Sequence, residues 1–507
     1  MRVPARSDLL RTLPGIIALL LAAGGLPGQG EPVLARWANY GGDARHTALS
    51  PVAAQGAQRI LWSAPVDLQP QYSGGDLFIH YGTPLVTAGN TVLFPVKTGA
   101  AGGFRVEARR GDTGALLWTL DTDYDLPDHD WVPSLGCCLL PDDRVAIPAA
   151  GGTVLLRTNA DVAEGSVERV AFYGTGDYED DPASFDATVR IDTPLTADDR
   201  GNLYFGFVAD PAAPLHLRSG FARISSTGRG RWISADHAAG DPGMTKVANN
   251  CAPALDRRGR LLYGAVTDAD GTGFGAGTLV ALDAKRLARR HAAPLDEGLI
   301  AEDGTASPMV GPDGHVFFGV LTFGNHFRGR MLQFSRSLSS RGIAGGFGWD
   351  DTASVVPAEA VPSYAGGARY LILTKYNDYV EAGGSGVNRL AVLDPRASMT
   401  DPIDDSKVMA EVLIVAGPTP DVDLIDLQHP DAVREWCINT AAVDPVTGCA
   451  LVNNEDGVLY RWDFATNALS ESVVLTPGIG EAYTPTVVGP GGIVYAINNA
   501  TLFAVGE

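Results

Sequence analysis

The sequence predicts an all-β protein, an eight-bladed β-propeller of four-stranded antiparallel blades whose ring is closed by the N-terminal strand. Three observations lead to this prediction. A Thr-Pro or similar pair opens a short apolar run, a polar turn and a second apolar strand, and the pattern recurs about every 57 residues. A second motif, Ala then Thr-Gly then Trp, recurs between copies of the first. The chain is rich in Gly and Pro and only 19% charged, as many short strands joined by tight turns require.

The first motif is clearest in the C-terminal stretch from Glu481 to Gly506, where Thr484-Pro485 precedes VVGPGGIVYAI. Seven further copies are centred on Pro84, Cys138, Pro194, Pro253, Pro308, Ala353 and Ala442. Each copy supplies two inner strands of a blade, so the copies predict eight blades.

The second motif reads ARRGDTGALLW over residues 108–118 and ARISSTGRGRW over residues 222–232. It predicts a third strand that ends in a turn and an outer strand that carries Trp. The repeated Trp residues, Trp62, Trp118 and Trp232, are therefore interpreted as packing residues, because a large aromatic side chain in a repeated strand is first a core element.

Residues 1–35 are predicted to be an export signal, and residues 36–507 a single propeller domain. Three Arg residues precede an apolar run that is too short to span a bilayer, and Val33-Leu34-Ala35 offers a small-residue cleavage site. The net charge is −21. Such an acidic chain repels phosphate backbones and anionic lipids, so we predict no nucleic-acid partner and no membrane-surface partner. The export signal predicts that the protein is periplasmic or secreted.

The two ends of the propeller domain complement each other. RILWSAPV, up to Val66, resembles an outer strand without preceding inner strands, and the last copy of the motif ends at Val505 without an outer strand. We therefore expect Ile60–Val66 to pair with Thr501–Val505, which leaves no open sheet edge between the first and last blades.

WANYGGDARHT at Trp37–Thr47, together with the A-x-x-x-x-T-G-x-x-x-W repeats, resembles the pyrroloquinoline quinone (PQQ) dehydrogenase superfamily of eight-bladed propellers. The resemblance covers nearly the whole domain. It implies PQQ, a Ca²⁺ held by carboxylate and amide oxygens, an Asp base, a cation near the quinone oxygens and an aromatic floor. The chain has no CxxCH and no CxxC, so we expect no covalent haem and no zinc.

Residues just before each first inner strand are expected to meet at one mouth of the central channel, where they form a ligand site. These positions hold His80, Tyr81, His129, Asp130, Trp131, Asp192, Lys246, Asn249, Asn250, Cys251, Glu302, Asp303, Trp349, Asp350, Asp351, Arg434, Glu435, Trp436, Cys437, Asn439, Glu481 and Tyr483. The stretch Lys375–Tyr379 is a further candidate, as a lid over the channel.

The resemblance implies roles for some of these residues. The candidate catalytic residues are Asp350, Asp351 and Glu435, with Asp350 or Asp351 as the base. The candidate cofactor-binding residues are Cys137, Cys138, Lys246, Asn249, Asn250, Trp349, Arg434, Trp436 and Glu481.

Cys137 and Cys138 are adjacent, and the family is known for a vicinal disulfide over one face of the quinone. Neighbouring Cα atoms lie about 3.8 Å apart, well below the separation of about 5.5 Å that disulfides prefer, so such a bond closes a strained ring. The alternative is that two small side chains point to opposite faces of a strand.

Three functions remain open from the sequence. The first is a quinoprotein dehydrogenase that oxidises an alcohol or a sugar. The second is a non-catalytic propeller that binds a small molecule, a glycan or a periplasmic protein in its mouth. The third is a carbohydrate-cleaving enzyme that uses His80 or His129, Tyr81 and paired acids.

Overall fold

The computed structural model describes residues 35–72, 77, 81–127, 135–269, 273–302, 304, 306–478, 480 and 482–507. The export signal predicted for residues 1–35 lies, except for Ala35, outside this part of the chain. Residues Ala35–Glu507 form one compact unit. Within it, eight antiparallel sheets follow one another along the chain as the blades of a ring. The predicted all-β, eight-bladed fold is confirmed.

Blades 1 to 4 each run from an inner strand at the channel to an outer strand, and their strands are given in that order. Blade 1 consists of Leu85–Val86, Thr91–Lys97, Phe104–Arg110 and Leu116–Thr122. Blade 2 consists of Cys138–Leu139, Val145–Ala149, Thr153–Arg157 and Val167–Ala171. In blade 3, Val189–Ile191 and Thr196–Ala197 both pair with Leu203–Ala209, followed by Gly220–Ile224 and Gly230–Ser234. In blade 4, Lys246–Val247 and Ala254–Leu255 both pair with Leu261–Thr267, followed by Gly277–Asp283 and Ala288–Pro294.

Blades 5 to 8 complete the ring. Blade 5 consists of Met309–Val310, Val316–Val320 and Arg330–Phe334, and isolated bridges from Met331 to Gly345 and from Phe334 to Arg341 stand in for its outer strand. Blade 6 consists of Ser354–Pro357, Tyr370–Tyr376, Arg389–Thr400 and Lys407–Ala416. Blade 7 consists of Ala442–Asp444, Cys449–Asn453, Val458–Asp463 and Ala468–Val474. Blade 8 consists of Val487–Val488, Val494–Asn498, Thr501–Gly506 and the N-terminal strand Arg59–Pro65.

Other elements are short. A two-stranded ribbon pairs Phe274–Gly275 with Ile300–Ala301 between blades 4 and 5. The α-helices are Thr175–Asp180, Pro182–Thr188, Ala235–Ala239 and Val422–Asp426, and the 3₁₀ turns are Ala150–Gly152, Pro214–His216, Ala358–Ala360 and Val380–Ala382. In the described ranges, none of the helices has the length and apolar character needed to cross a bilayer.

Ring closure follows the predicted pairing. Arg59–Pro65 runs antiparallel to Thr501–Gly506, from Arg59 opposite Gly506 to Pro65 opposite Thr501, with one irregularity between Ile60 and Trp62. Blade 8 is thus completed by the first strand of the chain, and its sheet keeps no unpaired edge at the junction.

Two of the repeated Trp residues connect neighbouring blades. The indole Nε1 of Trp62 in blade 8 donates to the carbonyl of Gly111 in blade 1 at 2.8 Å. Trp118 in blade 1 donates to Ala160 in blade 2 at 2.8 Å, and the Arg157 guanidinium lies 3.7 Å above its ring. The third, Trp232, packs edge-on against Phe207 of its own blade. Their interpretation as packing residues agrees with these contacts.

The residues ahead of the first strand form a segment that we call the hub, residues 37–55. Taken in order, it forms hydrogen bonds with each blade in turn, within the inner strand or in the turn that follows. From blade 1 to blade 8 the partners are Val86, Leu139, Ala197, Leu255, Val310, Val355, Val443 and Gly492. The inner strands are edge strands, so their backbone groups face the channel, and the hub supplies the partners that those groups require.

One hub contact uses a side chain in place of the backbone. The Asn39 amide accepts a hydrogen bond from the Ala197 N–H at 2.7 Å and donates one to the Ala197 carbonyl at 3.3 Å. Asn39 is 4% exposed. The side chain therefore pairs with blade 3 as a strand residue would.

Replacing Asn39 with Ala is expected to destabilise the protein by about 1–3 kcal/mol, because both polar groups of Ala197 lose their partner in a buried place. Urea unfolding monitored by tryptophan fluorescence measures the change. Gln71→Ala is the matched control, since that amide is exposed and bonds only nearby carbonyls. Equal stability of the Asn39 and Gln71 variants would contradict the role given to the hub.

Deletion of residues 36–70 removes the hub and the closing strand together. We expect no soluble folded product, because blade 8 loses its outer strand and every inner strand loses its channel-side partners. Size-exclusion chromatography and circular dichroism of the expressed protein test this expectation. A soluble, cooperatively unfolding product would show that the ring closes without its N-terminal segment.

Candidate functional site

The channel has two faces. The turns after the inner strands lie on one face, near the hub, and the residues before the inner strands lie on the other, which we call the mouth. From the hub, the Tyr40 hydroxyl reaches residues that precede blades 6 and 7, Thr352 at 3.1 Å and Asn439. His46 packs edge-on against Tyr40, and its Nδ1–H donates to the Pro308 carbonyl at 2.8 Å. Burial lowers the pKa of His46 to about 4, so this pair is a neutral floor beneath the mouth.

Above the floor, blades 3 to 5 bring four polar side chains together, the Lys246 cluster. The Lys246 ammonium donates to the Asn249 amide oxygen at 2.7 Å and to the Glu302 carboxylate, and it lies 3.6 Å from the Asp192 carboxylate. Both carboxylates are fully buried. Burial, reinforced by the charge of Glu302, raises the pKa of Asp192 to about 7, and the two carboxylates hold the pKa of Lys246 above its usual value despite burial.

A second group, the Lys375 cluster, belongs to blade 6. Lys375 lies at the mouth end of the strand Tyr370–Tyr376, and its ammonium is 3.9 Å from the Asp350 carboxylate. The neighbouring Asp351 accepts a hydrogen bond from the Thr374 hydroxyl at 2.5 Å. Burial raises the pKa of Asp351 to about 7, although Lys375 acts in the opposite direction. Because Lys375 and Tyr376 belong to this strand, the stretch Lys375–Tyr379 is not a separate lid.

A third group, the Glu435 cluster, consists of Glu435 and Cys437, which precede blade 7, and Glu455, which follows the second strand of that blade. The Cys437 thiol donates to the Glu455 carboxylate at 3.1 Å, and the Glu435 N–H donates to the same carboxylate at 2.8 Å. One ligand atom each of Glu435, Cys437 and Glu455 lies within 4.8 Å of the others, so these residues could hold a metal ion. Burial, with the charge of Glu455, raises the pKa of Glu435 to about 8.

Blade 1 adds a further buried ion pair. The Lys97 ammonium lies 3.3 Å from the Asp67 carboxylate, which also accepts a hydrogen bond from the Tyr81 hydroxyl at 3.1 Å. Each of the three lysines in these groups thus faces at least one carboxylate. In the described part of the mouth, carboxylates outnumber ammonium groups.

Beside the Lys246 and Lys375 clusters lies an exposed group of rings, the aromatic ledge, formed by Phe274, Phe323, Phe327 and Trp349. Phe274 contacts Phe323 with ring centroids 5.7 Å apart and Trp349 with centroids 6.2 Å apart, and Phe323 contacts Phe327 at 5.3 Å. Phe274 is 48% exposed and Phe323 is 51% exposed. A small cavity of about 20 Å³ is lined by Trp349 together with Asn249 and Asp350, so the ledge adjoins the polar clusters.

Cys137 and Cys138 are free thiols in this structure, and both are buried. Cys137 packs in the apolar core between blades 1 and 2, and Cys138 packs in the core between blades 2 and 3. The two side chains therefore point to opposite faces of the blade, the alternative that the sequence had left open, and no disulfide joins them.

Trp436, Arg434 and Asn250 are further predicted site residues in the described part of the chain. Trp436 is fully buried in the core between blades 6 and 7 and packs edge-on against Tyr460, so it offers no face to a ligand. Arg434 pairs with Asp421 and Asp423 of a neighbouring loop and helix. The N–H of Asn250 donates to the Asp192 carbonyl at 3.0 Å. Glu481, His80, His129, Asp130, Trp131 and Asp303 lie outside the described residues.

Two mouth residues adopt left-handed backbone conformations that side chains rarely tolerate. Asn250 has φ of 55° and Asp350 has φ of 45°. Asn and Asp adopt this conformation more readily than other residues with side chains, and it recurs at turns outside the mouth, such as those at Asn90 and Asn467.

Asp67, Lys97 and Glu455 were not predicted from the sequence as site residues. Lys97 ends the second strand of blade 1, and Glu455 follows the second strand of blade 7. Both therefore lie outside the positions just before the inner strands, where the motif predicts site residues. Lys97 could have been predicted, because it ends the apolar strand TVLFPVK, and a lysine buried in such a strand requires an acidic partner.

The raised pKa values of Asp192, Asp351 and Glu435 make stability depend on pH. A carboxyl whose pKa is raised by folding favours the folded state when protonated, so its contribution is complete near pH 4 and is lost as pH rises to about 7–8. We expect the free energy of unfolding to fall from pH 5 to pH 8, and Asp351→Asn to flatten this fall by about 1 kcal/mol per pH unit. Urea unfolding at several pH values, with exposed Asp199→Asn as the control, measures the slope. A variant with the wild-type slope would contradict the burial of an ionisable Asp351.

No protein-family model matches the chain, and no curated protein is similar to it in sequence. Its fold, however, is similar to that of several solved structures. One is a europium-containing methanol dehydrogenase, with 10% identity, a TM-score of 0.53, and coverage of 92% of this chain and 89% of that one. Another is the quinohemoprotein alcohol dehydrogenase from Comamonas testosteroni, with 12% identity, a TM-score of 0.54, and coverage of 93% and 81%.

A quinohemoprotein alcohol dehydrogenase from Pseudomonas putida is similar as well, with 11% identity, a TM-score of 0.51, and coverage of 94% and 76%. At such identities the similarity concerns the fold and not the activity. The eight-bladed propeller of this chain is therefore similar in fold to these three dehydrogenase structures.

Proposed function

We propose that this propeller is an exported, non-catalytic binding protein and that its ligand is a neutral glycan held at the mouth. The observation that carries the proposal is the aromatic ledge beside the buried polar clusters. Phe274 and Phe323 are each about half exposed in one contiguous group of rings. Exposed aromatic groups of this kind, next to convergent polar side chains, are typical of recognition sites.

A sugar has both an apolar and a polar surface, and this region of the protein can contact both. Its ring has an apolar face that can pack on Phe274 or Phe323, and its hydroxyls both donate and accept hydrogen bonds. Next to Phe327 in the chain, His326 pairs with Asp378, and their side chains are 29% and 15% exposed, so these two groups can donate to or accept from such hydroxyls. One ligand can therefore contact the ledge and this polar pair together.

The charges favour a neutral ligand. Lys97, Lys246 and Lys375 are each compensated by a carboxylate inside the protein, so none offers a full positive charge to an anion. The surplus of carboxylates in the described part of the mouth repels anionic ligands, as the acidity of the whole chain repels nucleic acid and anionic lipid.

PQQ with Ca²⁺ does not fit the described residues. PQQ itself carries carboxylates, and the surplus of acids disfavours them. Cys137 and Cys138 are unbonded and lie in two different cores, and Trp436 is buried away from the mouth. The cavity beside Trp349 has room for about one water molecule. We therefore derive no redox step from this site, even though the solved structures of similar fold are dehydrogenases.

The proposal is tested by the variant Phe323→Ala. Neutral oligosaccharides derived from glucans, xylans and mannans are titrated calorimetrically into the protein, and we expect at least one class to bind. Loss of one stacked ring is expected to weaken that binding about tenfold or more, because an aromatic contact supplies on the order of 1 kcal/mol beyond its burial. Leu427→Ala removes another exposed apolar side chain, 67% exposed, and is expected to bind like the wild type.

Four results would overturn the proposal. Heat of binding for PQQ plus Ca²⁺ at micromolar protein would favour a dehydrogenase. Release of reducing ends from a bound polysaccharide would favour a carbohydrate-cleaving enzyme. No binding of any glycan, or equal binding by the Phe323 and Leu427 variants, would remove the ledge from the site.

A further inference from the structure

The Lys246 cluster contains the oxygen set of a metal site with an ammonium group at its centre. The Lys246 Nζ faces the Asn249 amide oxygen at 2.7 Å, a Glu302 carboxylate oxygen, and an Asp192 carboxylate oxygen at 3.6 Å. These residues come from blade 3, blade 4 and the approach to blade 5. Carboxylate and amide oxygens that converge on one point are the ligands that Ca²⁺ prefers.

The cluster is also buried as a metal site would be. The Asp192 and Glu302 side chains have no exposed surface, and the Lys246 side chain is 11% exposed. Buried carboxylates are costly without positive charge near them, and Lys246 supplies one ammonium group between these two.

Asp192 shows that oxygen ligands remain unused. Neither of its carboxylate oxygens accepts a hydrogen bond from any described residue, and the ammonium at 3.6 Å is beyond hydrogen-bonding distance. A buried carboxylate normally has partners for its oxygens. This carboxylate therefore has the capacity to bind a cation more closely than Lys246 allows.

From these observations we infer that the Lys246 ammonium is a built-in cation that takes the place of a divalent metal ion between Asp192, Asn249 and Glu302. The wild-type protein thus keeps this part of the mouth assembled without a metal. Removal of the ammonium opens a site for a hard cation such as Ca²⁺ or a lanthanide. The inference does not rest on the proposed glycan binding, because it concerns the cation alone.

The test compares Lys246→Ala with Lys246→Met in the full protein, with Tb³⁺ as the probe. Alanine leaves space for the ion among the oxygens, whereas methionine fills that space with an uncharged chain of similar length. Terbium luminescence, excited through nearby aromatic rings, should show saturable binding to the Ala variant about tenfold or more tighter than to the wild type. The Met variant should resemble the wild type.

Two further measurements make the result specific. Adding Asp192→Asn to the Ala variant should remove most of the gained affinity, because the unused carboxylate is lost. Ca²⁺ should raise the melting temperature of the Ala variant and leave that of the wild type unchanged, since only a state that binds an ion gains stability from it. If Lys246→Ala does not fold without metal, its refolding on addition of Ca²⁺ supports the inference, and failure to refold with Ca²⁺ overturns it.

Terbium binding to the wild type as tight as to the Ala variant would overturn the inference, as would gained affinity that survives Asp192→Asn. Both results are independent of whether any oligosaccharide binds. A protein that binds no glycan but gains terbium binding on loss of Lys246 would therefore refute the proposed function and leave this inference standing.

Discussion

The backbone groups of the inner strands are the constraint on which this structure depends. Each inner strand has a neighbour on one side only, and its other edge faces the channel, where unpaired N–H and C=O groups would be costly. The hub, residues 37–55, satisfies these groups blade by blade through its own backbone N–H and C=O groups and the Asn39 side chain. Because one continuous segment touches all eight blades, it also fixes their order and their distance from the axis.

The mouth is built on the hub, and its charges are balanced within the protein. Tyr40 and His46 form a neutral floor, and lysines from different blades face the carboxylates above it. Pairing buried charges in this way contributes little net stability, but loss of one partner is costly. The ion pairs therefore hold the polar clusters in fixed positions. The aromatic ledge differs from these clusters because it is apolar and exposed to solvent.

The sequence predicted the architecture because the motif is local. Thr193-Pro194 or Thr484-Pro485 precedes an inner strand, and a glycine-containing turn follows, so the positions of all eight inner strands could be read from short stretches. The complementary ends of the domain likewise predicted the pairing of Arg59–Pro65 with Thr501–Gly506. The hub was not predicted, since most of its contacts are made by the backbone of residues such as Ala38, Ala44 and Ala48, which carry no side-chain signal.

The site was harder to predict, because proximity to the channel does not determine which way a side chain points. Asp192, Lys246 and Glu302 meet as neighbours in the mouth, but their mutual pairing depends on three blades and not on any spacing. Cys138 and Trp436 stand beside mouth residues in sequence and yet face the core, because successive residues of an extended chain alternate in direction.

The pairing of the first strand with the last has a consequence for how the protein is made. Until the ribosome has added Thr501–Gly506, Arg59–Pro65 has no partner, and the partly built ring exposes unpaired sheet edges on both sides of the gap. Contacts between residues so far apart along the chain form slowly. The ring therefore closes only after these residues have been synthesised, and until then the nascent chain depends on whatever shields it from aggregation.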